Sequence, residues 1–383
     1  MSEETRPLAD VRIVDMTQYE AGPSATQVLA WLGADVIKVE PPRGDPARTL
    51  AGANQSRDAI FFALYNQSKR SVTLDLTQDA DRARLDRLLE DADVLAENFA
   101  PGTLERLGLP IERLREDFPG LVVASIRGYR EGGRWSTFKS FDFVAQAVGG
   151  AMSTTGESGR EPVRMGATAA DSGAGLHLAI GILAALHRKQ RTGRGGRVEV
   201  ALQDVIVSLV RTSMVPMYIT GEPAERMGSD YPDSAPSGLH ACSPGGPNDY
   251  IYILFSSSRQ WDSILRAIER EDLIGDERYD RQSKRNAREA EVCEIVSAWT
   301  RKHGKIEAME RLSEFGVPCG AVLDSCEVLA NEHLRESGMI IEHPHPQWGT
   351  IAIPGCPIRI DGPAPRIDPS PALGAHTKEV LGD

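Results

Sequence analysis

The chain has 383 residues and a net charge of −12, so it is long enough for two or three domains with cores of their own. The acidic balance argues against nucleic acid as the main partner, although it leaves room for a locally basic pocket. Five cysteines without close metal-type spacing predict a reducing, cytoplasmic setting. The longest apolar run is far shorter than the roughly 20 residues that span a bilayer, so no membrane partner is expected.

The first forty residues follow a strand–helix–strand pattern. Residues 11–16 are apolar enough for a buried strand, residues 24–32 suit a helix, and residues 34–39 suit a second strand. A helical crossover of this kind joins parallel strands. Further strands are expected at residues 69–76, 93–97, 121–126 and 197–202. The turn after the first strand is not G-x-G-x-x-G, so a Rossmann-like sheet is predicted without a dinucleotide fingerprint.

A long apolar helix is predicted over residues 176–188, preceded by Asp171 and several glycines. Its large apolar residues are spread around the whole circumference, so we expect burial on most faces. Asp171 stands at the helix N-terminus, where the helix dipole favours the charged carboxylate. Two interpretations remain open from the residues alone, namely a helix N-cap and a carboxylate nucleophile.

Basic and aromatic side chains occur next to the ends of the predicted strands. They are Lys69, Arg70, Phe99, Arg106, Arg127 and Lys139. Each alone is an ordinary surface charge or packed ring, but together, at one edge of a parallel sheet, they would suit a phosphate-bearing ligand with an aromatic ring. His343 and His345 form a close histidine pair without further ligands nearby in sequence, so no metal site is predicted.

The strand–helix alternation fades after about residue 205. A helical stretch at residues 205–218 leads into a Pro-, Gly- and Ser-rich segment, residues 221–248, which we interpret as a linker or mobile loop. A strand at residues 250–255 and helices near 260–270, 286–303 and 305–315 then predict a second, smaller domain.

Several stretches, taken together and in this order, resemble the class III coenzyme A-transferases. They are residues 14–17, 21–23, 32–40, 66–75, 97–102, 166–173, 181–195 and, more loosely, 315–320. Within that family the chain looks most similar to the formyl-CoA:oxalate transferases, through residues 127–132 and 144–146.

The resemblance implies an α/β fold with a Rossmann-like parallel-sheet large domain, a smaller α+β domain and two chains interlocked as a homodimer. The expected large domain comprises residues 1–205 and, after a return segment, part of residues 326–383. A linker helix is expected at residues 206–225 and the small domain at residues 226–325.

The resemblance also implies a reaction centred on Asp171. This carboxylate would attack an acyl-CoA thioester to give an acyl-aspartyl anhydride, and the released thiolate would then form an aspartyl-CoA thioester. A small carboxylic acid would finally take the coenzyme A. Coenzyme A thioesters are substrates, and no tightly bound cofactor is expected. Free N–H groups at the helix N-terminus would stabilise an oxyanion.

Other positions are carried over from the family in the same way. The expected coenzyme A contacts are Leu74, Asp75, Leu76, Thr77, Asn98, Phe99, Ala100, Arg106 and Lys139. Arg106 and Lys139 would meet phosphates. The expected substrate pocket contains Glu20, Ala21 and Phe141.

The chain departs from the oxalate enzymes at several of these places. Glu20 and Phe141 stand where those enzymes have glutamine and tyrosine, and their tetraglycine loop has only a poor counterpart at residues 243–247. An extra carboxylate repels a dianion, so a hydroxy acid or cationic acid is a possible acceptor, with oxalate as the alternative. An acyl-CoA racemase or epimerase is the rival enzyme, but Phe141 replaces the proton-carrying histidine of that branch. A non-catalytic coenzyme A-binding protein is the third possibility.

Overall fold

The computed structural model describes residues 6–50, 60–255, 257–345 and 348–382. Their strands are β1 Arg12–Asp15, β2 Asp35–Glu40, β3 Arg70–Thr73, β4 Val94–Glu97, β5 Val122–Arg127, β6 Gly196–Ala201, β7 Gly238–Ala241, β8 Tyr250–Ile253, β9 Cys319–Ala321, β10 Ile340–His345 and β11 Gly349–Pro354. Their α-helices are α1 Ala21–Trp31, α2 Ile60–Tyr65, α3 Asp79–Glu90, α4 Thr103–Arg106, α5 Ile111–Asp117, α6 Asp142–Val148, α7 Ala151–Thr154, α8 Ala169–Thr192, α9 Leu202–Leu209, α10 Val215–Thr220, α11 Ser258–Ala267, α12 Gln282–Asn286, α13 Glu289–Thr300, α14 Lys305–Glu314, α15 Ser325–Ala330, α16 Glu332–Glu336 and α17 Thr377–Leu381. The described residues form two compact units, one within Met1–Thr154, Pro162–Ala224 and Glu332–Asp383 and the other within Thr155–Glu161 and Glu225–Asn331.

A six-stranded sheet forms the centre of the first unit, in the order β3-β2-β1-β4-β5-β6. All five pairings are parallel, so the predicted parallel α/β fold is confirmed. The strand order reverses between β1 and β4. Helix connections leave these two strands in opposite directions, and a crevice therefore opens at their carboxyl ends, where ligands bind in such sheets.

Helix α8 packs closely against α1 on one face of this sheet. A side-chain carbon at Gly175 would lie 2.0 Å from Ser24 Oγ and 2.9 Å from the carbonyl oxygen of Ala21. Glycine therefore permits a helix-to-helix approach that any larger residue would block. The helix begins at Ala169, so Asp171 and the glycines between it and the apolar run lie inside the helix.

The opposite face of α8 is not buried in this unit. Leu176, Ile180 and Leu183 are 54%, 65% and 37% exposed, so the prediction of burial on most faces is wrong. The inner, buried face comprises Leu178, Ile182, Leu186, Gly175 and four alanines. The side of α8 that meets its own unit is therefore buried. Its outer side is also apolar, but it is exposed in this chain.

In the described part of the chain, α8 is also the one helix whose length and apolar composition would allow it to cross a membrane. Half of its most apolar window is buried. It packs against α1, α9, β5 and β6, which is the environment of a core helix.

Lys69 and Arg70 belong to the scaffold and not to a ligand site, contrary to the sequence-based expectation. Lys69 Nζ lies 2.9 Å from Asp15 Oδ2, and both side chains are fully buried. Burial lowers the pKa of Lys69 to about 8. Burial alone would raise the pKa of Asp15, but Lys69 and Lys38 hold it well below its usual range. Arg70 makes an ion pair of 2.6 Å with Asp35.

The second unit contains the antiparallel sheet β7-β8-β9. Ile251 and Ile253 of β8 lie in its core with Trp261, Val296 and Leu312 from the helices. Strand β7 falls within residues 221–248, which sequence interpretation treated as linker or loop. Its pairing partner β8 supplies the hydrogen bonds that stabilise it, and such long-range pairing has no local signal.

We predict that Gly175→Ala destabilises the protein by about 1–3 kcal/mol. The new methyl group would meet the carbonyl oxygen of Ala21, which cannot rotate away as a side chain can. Urea unfolding followed by circular dichroism measures the change. Gly166→Ala is the matched control, since a side-chain carbon there meets nothing within 4 Å; equal stability of the two variants would contradict the prediction.

Candidate functional site

A cavity of about 340 Å³ lies at the carboxyl ends of β1, β4 and β5. It is lined by Gln18, Tyr19, Ala21, Asn98, Phe99, Ala100, Pro101, Ile126, Arg127, Gly128, Phe138, Lys139, Ser140, Phe141, Asp171 and Leu202. Asp171 thus shares a cavity with six of the residues expected to bind coenzyme A or substrate, namely Ala21, Asn98, Phe99, Ala100, Lys139 and Phe141. Residues from six separate stretches of the chain meet there.

A second cavity of about 570 Å³ adjoins the first, because Gln18 and Phe99 line both. It contains the expected contacts Leu74, Asp75, Leu76 and Thr77, and Arg43 lies on its wall. Arg106 lines neither cavity. Its Nη2 donates a hydrogen bond of 2.7 Å to Oγ1 of Thr103, which does line the second cavity.

Two polar residues of the first cavity are held by the protein itself. The Asn98 side chain accepts from the Gln18 N–H and donates to the Gln18 carbonyl, each at 2.8 Å. The Arg127 guanidinium pairs with the buried carboxylate of Glu97 at 2.8 and 2.9 Å. Both therefore fix loops at the strand ends. In the part of the chain that the structure describes, Lys139 is the cation on this wall without a carboxylate partner.

The first turn of α8 is capped by Asp142 and not by Asp171. Asp142 Oδ2 accepts hydrogen bonds from the N–H groups of Ala170 and Asp171, at 2.8 and 3.0 Å. Asp171 is the third residue of the helix, and its carboxylate accepts no hydrogen bond from any described residue. The capping interpretation of Asp171 is therefore wrong. The expectation of free N–H groups for an oxyanion also fails for these two amides, because Asp142 already occupies them.

Glu20 is hydrogen-bonded to the same part of α8 through side chains. It precedes α1 and is buried. Its Oε1 accepts from Thr168 Oγ1 and, at 3.0 Å, from Ser172 Oγ. The Tyr65 hydroxyl is a third hydrogen-bonding partner of this carboxyl group. Glu20 is not among the residues that line the cavity, unlike its neighbour Ala21.

Three carboxyl groups therefore converge on one helical turn. Burial, followed by the charges of Glu20 and Asp142, raises the pKa of Asp171 from 3.8 to about 7. Burial likewise raises the pKa of Glu20. Burial and like charge thus act against the effect expected from the helix dipole, because both favour the protonated carboxyl group. Asp171 is poised between its two protonation states near neutral pH.

Sequence interpretation missed the structural roles of Asp142 and Tyr65. Asp142 has a local signal, because it begins a short helix and its Oδ1 accepts from Gln146 Nε2 one turn later, at 2.6 Å. That pattern marks a helix start but cannot indicate that the second oxygen caps a different helix. Tyr65 ends the short helix α2 and has no distinguishing pattern. Among the described residues no group of three or more His, Cys, Asp or Glu side chains could hold a metal ion.

Comparison with known proteins gives a consistent picture. The family model for CoA-transferase family III matches residues 8–377. The formyl-CoA:oxalate CoA-transferase of Streptomyces coelicolor is 36% identical over 388 residues, which cover 98% of this chain and 94% of that protein. The enzyme of the same name from Bradyrhizobium sp. (strain ORS 278) is 37% identical over 400 residues, covering 98% and 93%.

Solved structures share the fold across nearly the whole chain. A CaiB/BaiF family protein from Brucella suis superimposes with a TM-score of 0.86 at 31% identity, covering 97% of each chain. The protein Rv3272 from Mycobacterium tuberculosis gives a TM-score of 0.81 at 30% identity, covering 98% of this chain and 99% of that one.

We predict that Asp171→Asn stabilises the protein above neutral pH. The raised pKa of Asp171 favours the folded state fully below about pH 4, and this contribution is lost as pH rises through about 7. An amide avoids that loss, which is at most about 4 kcal/mol. Relative to the unsubstituted protein, the melting temperature of the variant should rise progressively between about pH 4 and 7, where the carboxyl group is ionised in the unfolded chain and still protonated in the folded one, and the difference should level off above about pH 7. The surface variant Asp10→Asn should show no such trend, and a constant difference for Asp171→Asn would refute the prediction.

Proposed function

The chain belongs to CoA-transferase family III and is therefore a transferase, and we propose that it moves coenzyme A from an acyl-CoA donor to a small carboxylic acid through covalent intermediates on Asp171. The observation that carries this proposal is the difference between Asp171 and its two acidic neighbours. Its carboxylate lines a cavity at the strand ends, while the neighbouring carboxyl groups of Asp142 and Glu20 are occupied by hydrogen bonds.

The proposed reaction begins when ionised Asp171 attacks the thioester carbonyl. The carbon–sulfur bond breaks, which gives an acyl-aspartyl anhydride and the coenzyme A thiolate. The thiolate attacks the aspartyl carbonyl and releases the donor acid, leaving an aspartyl-CoA thioester. The acceptor carboxylate attacks this thioester, and the liberated thiolate then takes the acceptor acyl group and regenerates Asp171. One thioester replaces another, so no ATP is required.

The environment of Asp171 supports this role. A carboxylate held in a poorly hydrated site is a stronger base than one in water, as its raised pKa indicates, and it needs less desolvation before it attacks. Near neutral pH a substantial fraction remains ionised. The rate should therefore fall as pH drops below about 7.

The two adjoining cavities support the proposed placement of coenzyme A. The nucleotide end would occupy the larger cavity, beside Leu74, Leu76 and Thr77, with Arg106 at its edge. The pantetheine arm would pass Phe99, which lines both cavities, and reach Asp171. Lys139 would meet a phosphate or the developing thiolate charge.

The acceptor acid is proposed to be one other than oxalate, although similar proteins carry the formyl-CoA:oxalate name. Arg127 is neutralised by Glu97, so Lys139 would be the main counter-charge for two carboxylates. Phe141 contributes no hydroxyl donor. A monoanionic hydroxy acid fits this wall better, and oxalate is the alternative. Racemisation is disfavoured because Phe141 cannot carry a proton.

A homodimer is part of the same proposal. The outer face of α8, with Leu176 and Ile180, is exposed in a single chain, and on α10 Tyr218 and Ile219 are 83% and 77% exposed. Apolar surface of this extent is typical of an interface, and a second copy would cover it. The five cysteines are free, which agrees with the proposed cytoplasmic location.

We predict that Asp171→Ala abolishes coenzyme A exchange, lowering the rate by at least about 10³-fold. Formyl-, acetyl- and succinyl-CoA would be incubated with small mono-, di-, hydroxy- and ammonium acids, and products would be identified by mass spectrometry. Coenzyme A binding, measured by calorimetry, should persist in the variant. Exchange that survives the substitution would exclude Asp171 as the nucleophile.

We predict that Ile180→Asp shifts the protein from dimer toward monomer. A charge in an apolar interface must be desolvated without a partner, which opposes association. Sedimentation velocity measures the state, with Leu254→Asp as the control on the second unit, where Leu254 is similarly an exposed apolar residue. An Ile180→Asp variant that remains dimeric would place the interface elsewhere.

A further inference from the structure

Glu20 is a buried acid whose carboxyl group is hydrogen-bonded to two side chains that flank Asp171 in the chain and to Tyr65. Thr168 and Ser172 both donate to the same atom, Oε1. Thr168 immediately precedes α8 and Ser172 follows Asp171, so the two donors stand on either side of Asp171 in the chain. The Tyr65 hydroxyl holds the same carboxyl group from α2.

We propose that Glu20 is a positioning residue, which clamps the first turn of α8 through Thr168 and Ser172 and thereby orients the Asp171 carboxylate into the cavity. The inference rests on the proposed function, and it assigns Glu20 an action through Asp171 in place of contact with the acceptor acid. Tyr65 supports the clamp by fixing the Glu20 carboxyl group.

The clamp has a rigid base. Glu20 precedes α1, whose first turn lies against α8 at Gly175, where a side-chain carbon would come within 2.9 Å of the Ala21 carbonyl oxygen. The position of Glu20 relative to α8 is therefore set by helix packing. Because its backbone is fixed in this way, the Glu20 side chain can restrict movement of the first turn of α8.

A second carboxyl group, that of Asp142, holds the same turn through its backbone. Asp142 binds the N–H groups of Ala170 and Asp171, while Glu20 binds the hydroxyls that flank Asp171. Among the described residues, the titratable groups near Asp171 are Glu20, Asp142 and Tyr65, together with Tyr19 and Lys139, which line the same cavity. Both flanking carboxyl groups have their oxygens engaged, and the Asp171 carboxylate is left to face the cavity.

A carboxyl group suits the clamp better than an amide would. Three hydroxyl groups surround Glu20, and each can donate to a carboxylate oxygen. An amide offers one acceptor oxygen and two N–H donors, so it can hold Thr168 and Ser172 but must reverse the hydrogen bond with Tyr65. The choice of acceptor acid then depends on the cavity wall, where Tyr19, Lys139 and Phe141 lie.

The test is a comparison of Glu20→Ala, Glu20→Gln, Tyr65→Phe and Asp171→Ala in the full-length protein, over a panel of acceptor acids. Glu20→Ala should lower kcat by about 10- to 100-fold and by the same factor for every acceptor, with KM changed little, because misplacing a reactive group by about 1 Å has an effect of this size. Glu20→Gln should restore most of kcat. It should also move the acidic limb of the pH profile to lower pH, since a neutral amide no longer opposes ionisation of Asp171.

Other outcomes would overturn the proposal. A changed order of acceptors in Glu20→Gln, with kcat for the best acceptor retained, would mean that Glu20 contacts the acceptor. A crystal structure of Glu20→Ala gives a readout independent of activity, and an unmoved first turn of α8 with Asp171 in place would also overturn it. Absence of exchange in the unsubstituted protein would refute the proposed function instead, and that structure would still decide the positioning role.

Discussion

The close packing of α8 against α1 is the constraint on which the site depends. At Gly175 the two helices approach to a distance that excludes any side chain, and this brings Glu20, at the start of α1, against the first turn of α8. Asp142 reaches the same turn from α6. Three acids thereby share one small, poorly hydrated region. Such crowding costs stability, because carboxyl groups lose water and repel one another when ionised.

The protein tolerates this crowding by engaging two of the three carboxyl groups fully. Asp142 accepts two N–H groups, and Glu20 is held by hydroxyls. The third carboxyl group, that of Asp171, has a raised pKa because of burial and the neighbouring charges. Active sites commonly contain a group in an unfavourable environment, which lowers the stability of the folded protein. The carboxyl group with the raised pKa is thus also the one that lines the cavity, as the proposed reaction requires.

Several other charged residues of the first unit form ion pairs within the protein. Lys69 is buried with Asp15, Arg70 is paired with Asp35, and Arg127 is paired with Glu97. These cations stand close to strand ends, where they resemble ligand-binding residues in the sequence, yet their charges are already compensated. Among the described residues, Lys139 is left as the uncompensated cation on the wall that contains Asp171, and in the proposed reaction it would limit the charge of the acceptor acid.

Local pattern and family motifs were enough to predict part of this protein. The strand–helix alternation predicted the parallel α/β sheet, the strand ends predicted where Asn98, Phe99 and Lys139 would gather, and the motifs around Asp171 led to the family that the comparisons confirm. Tertiary structure decided which carboxylate caps α8, which basic residues remain uncompensated and which face of α8 stays exposed. Glu20 and Thr168 are hydrogen-bonded although they are 148 residues apart in the chain. The periodicity of apolar residues shows which side chains share a face of a helix, but it does not show which distant segment packs against that face. Protonation and pairing depend on those distant neighbours, so they could be established only from the folded chain.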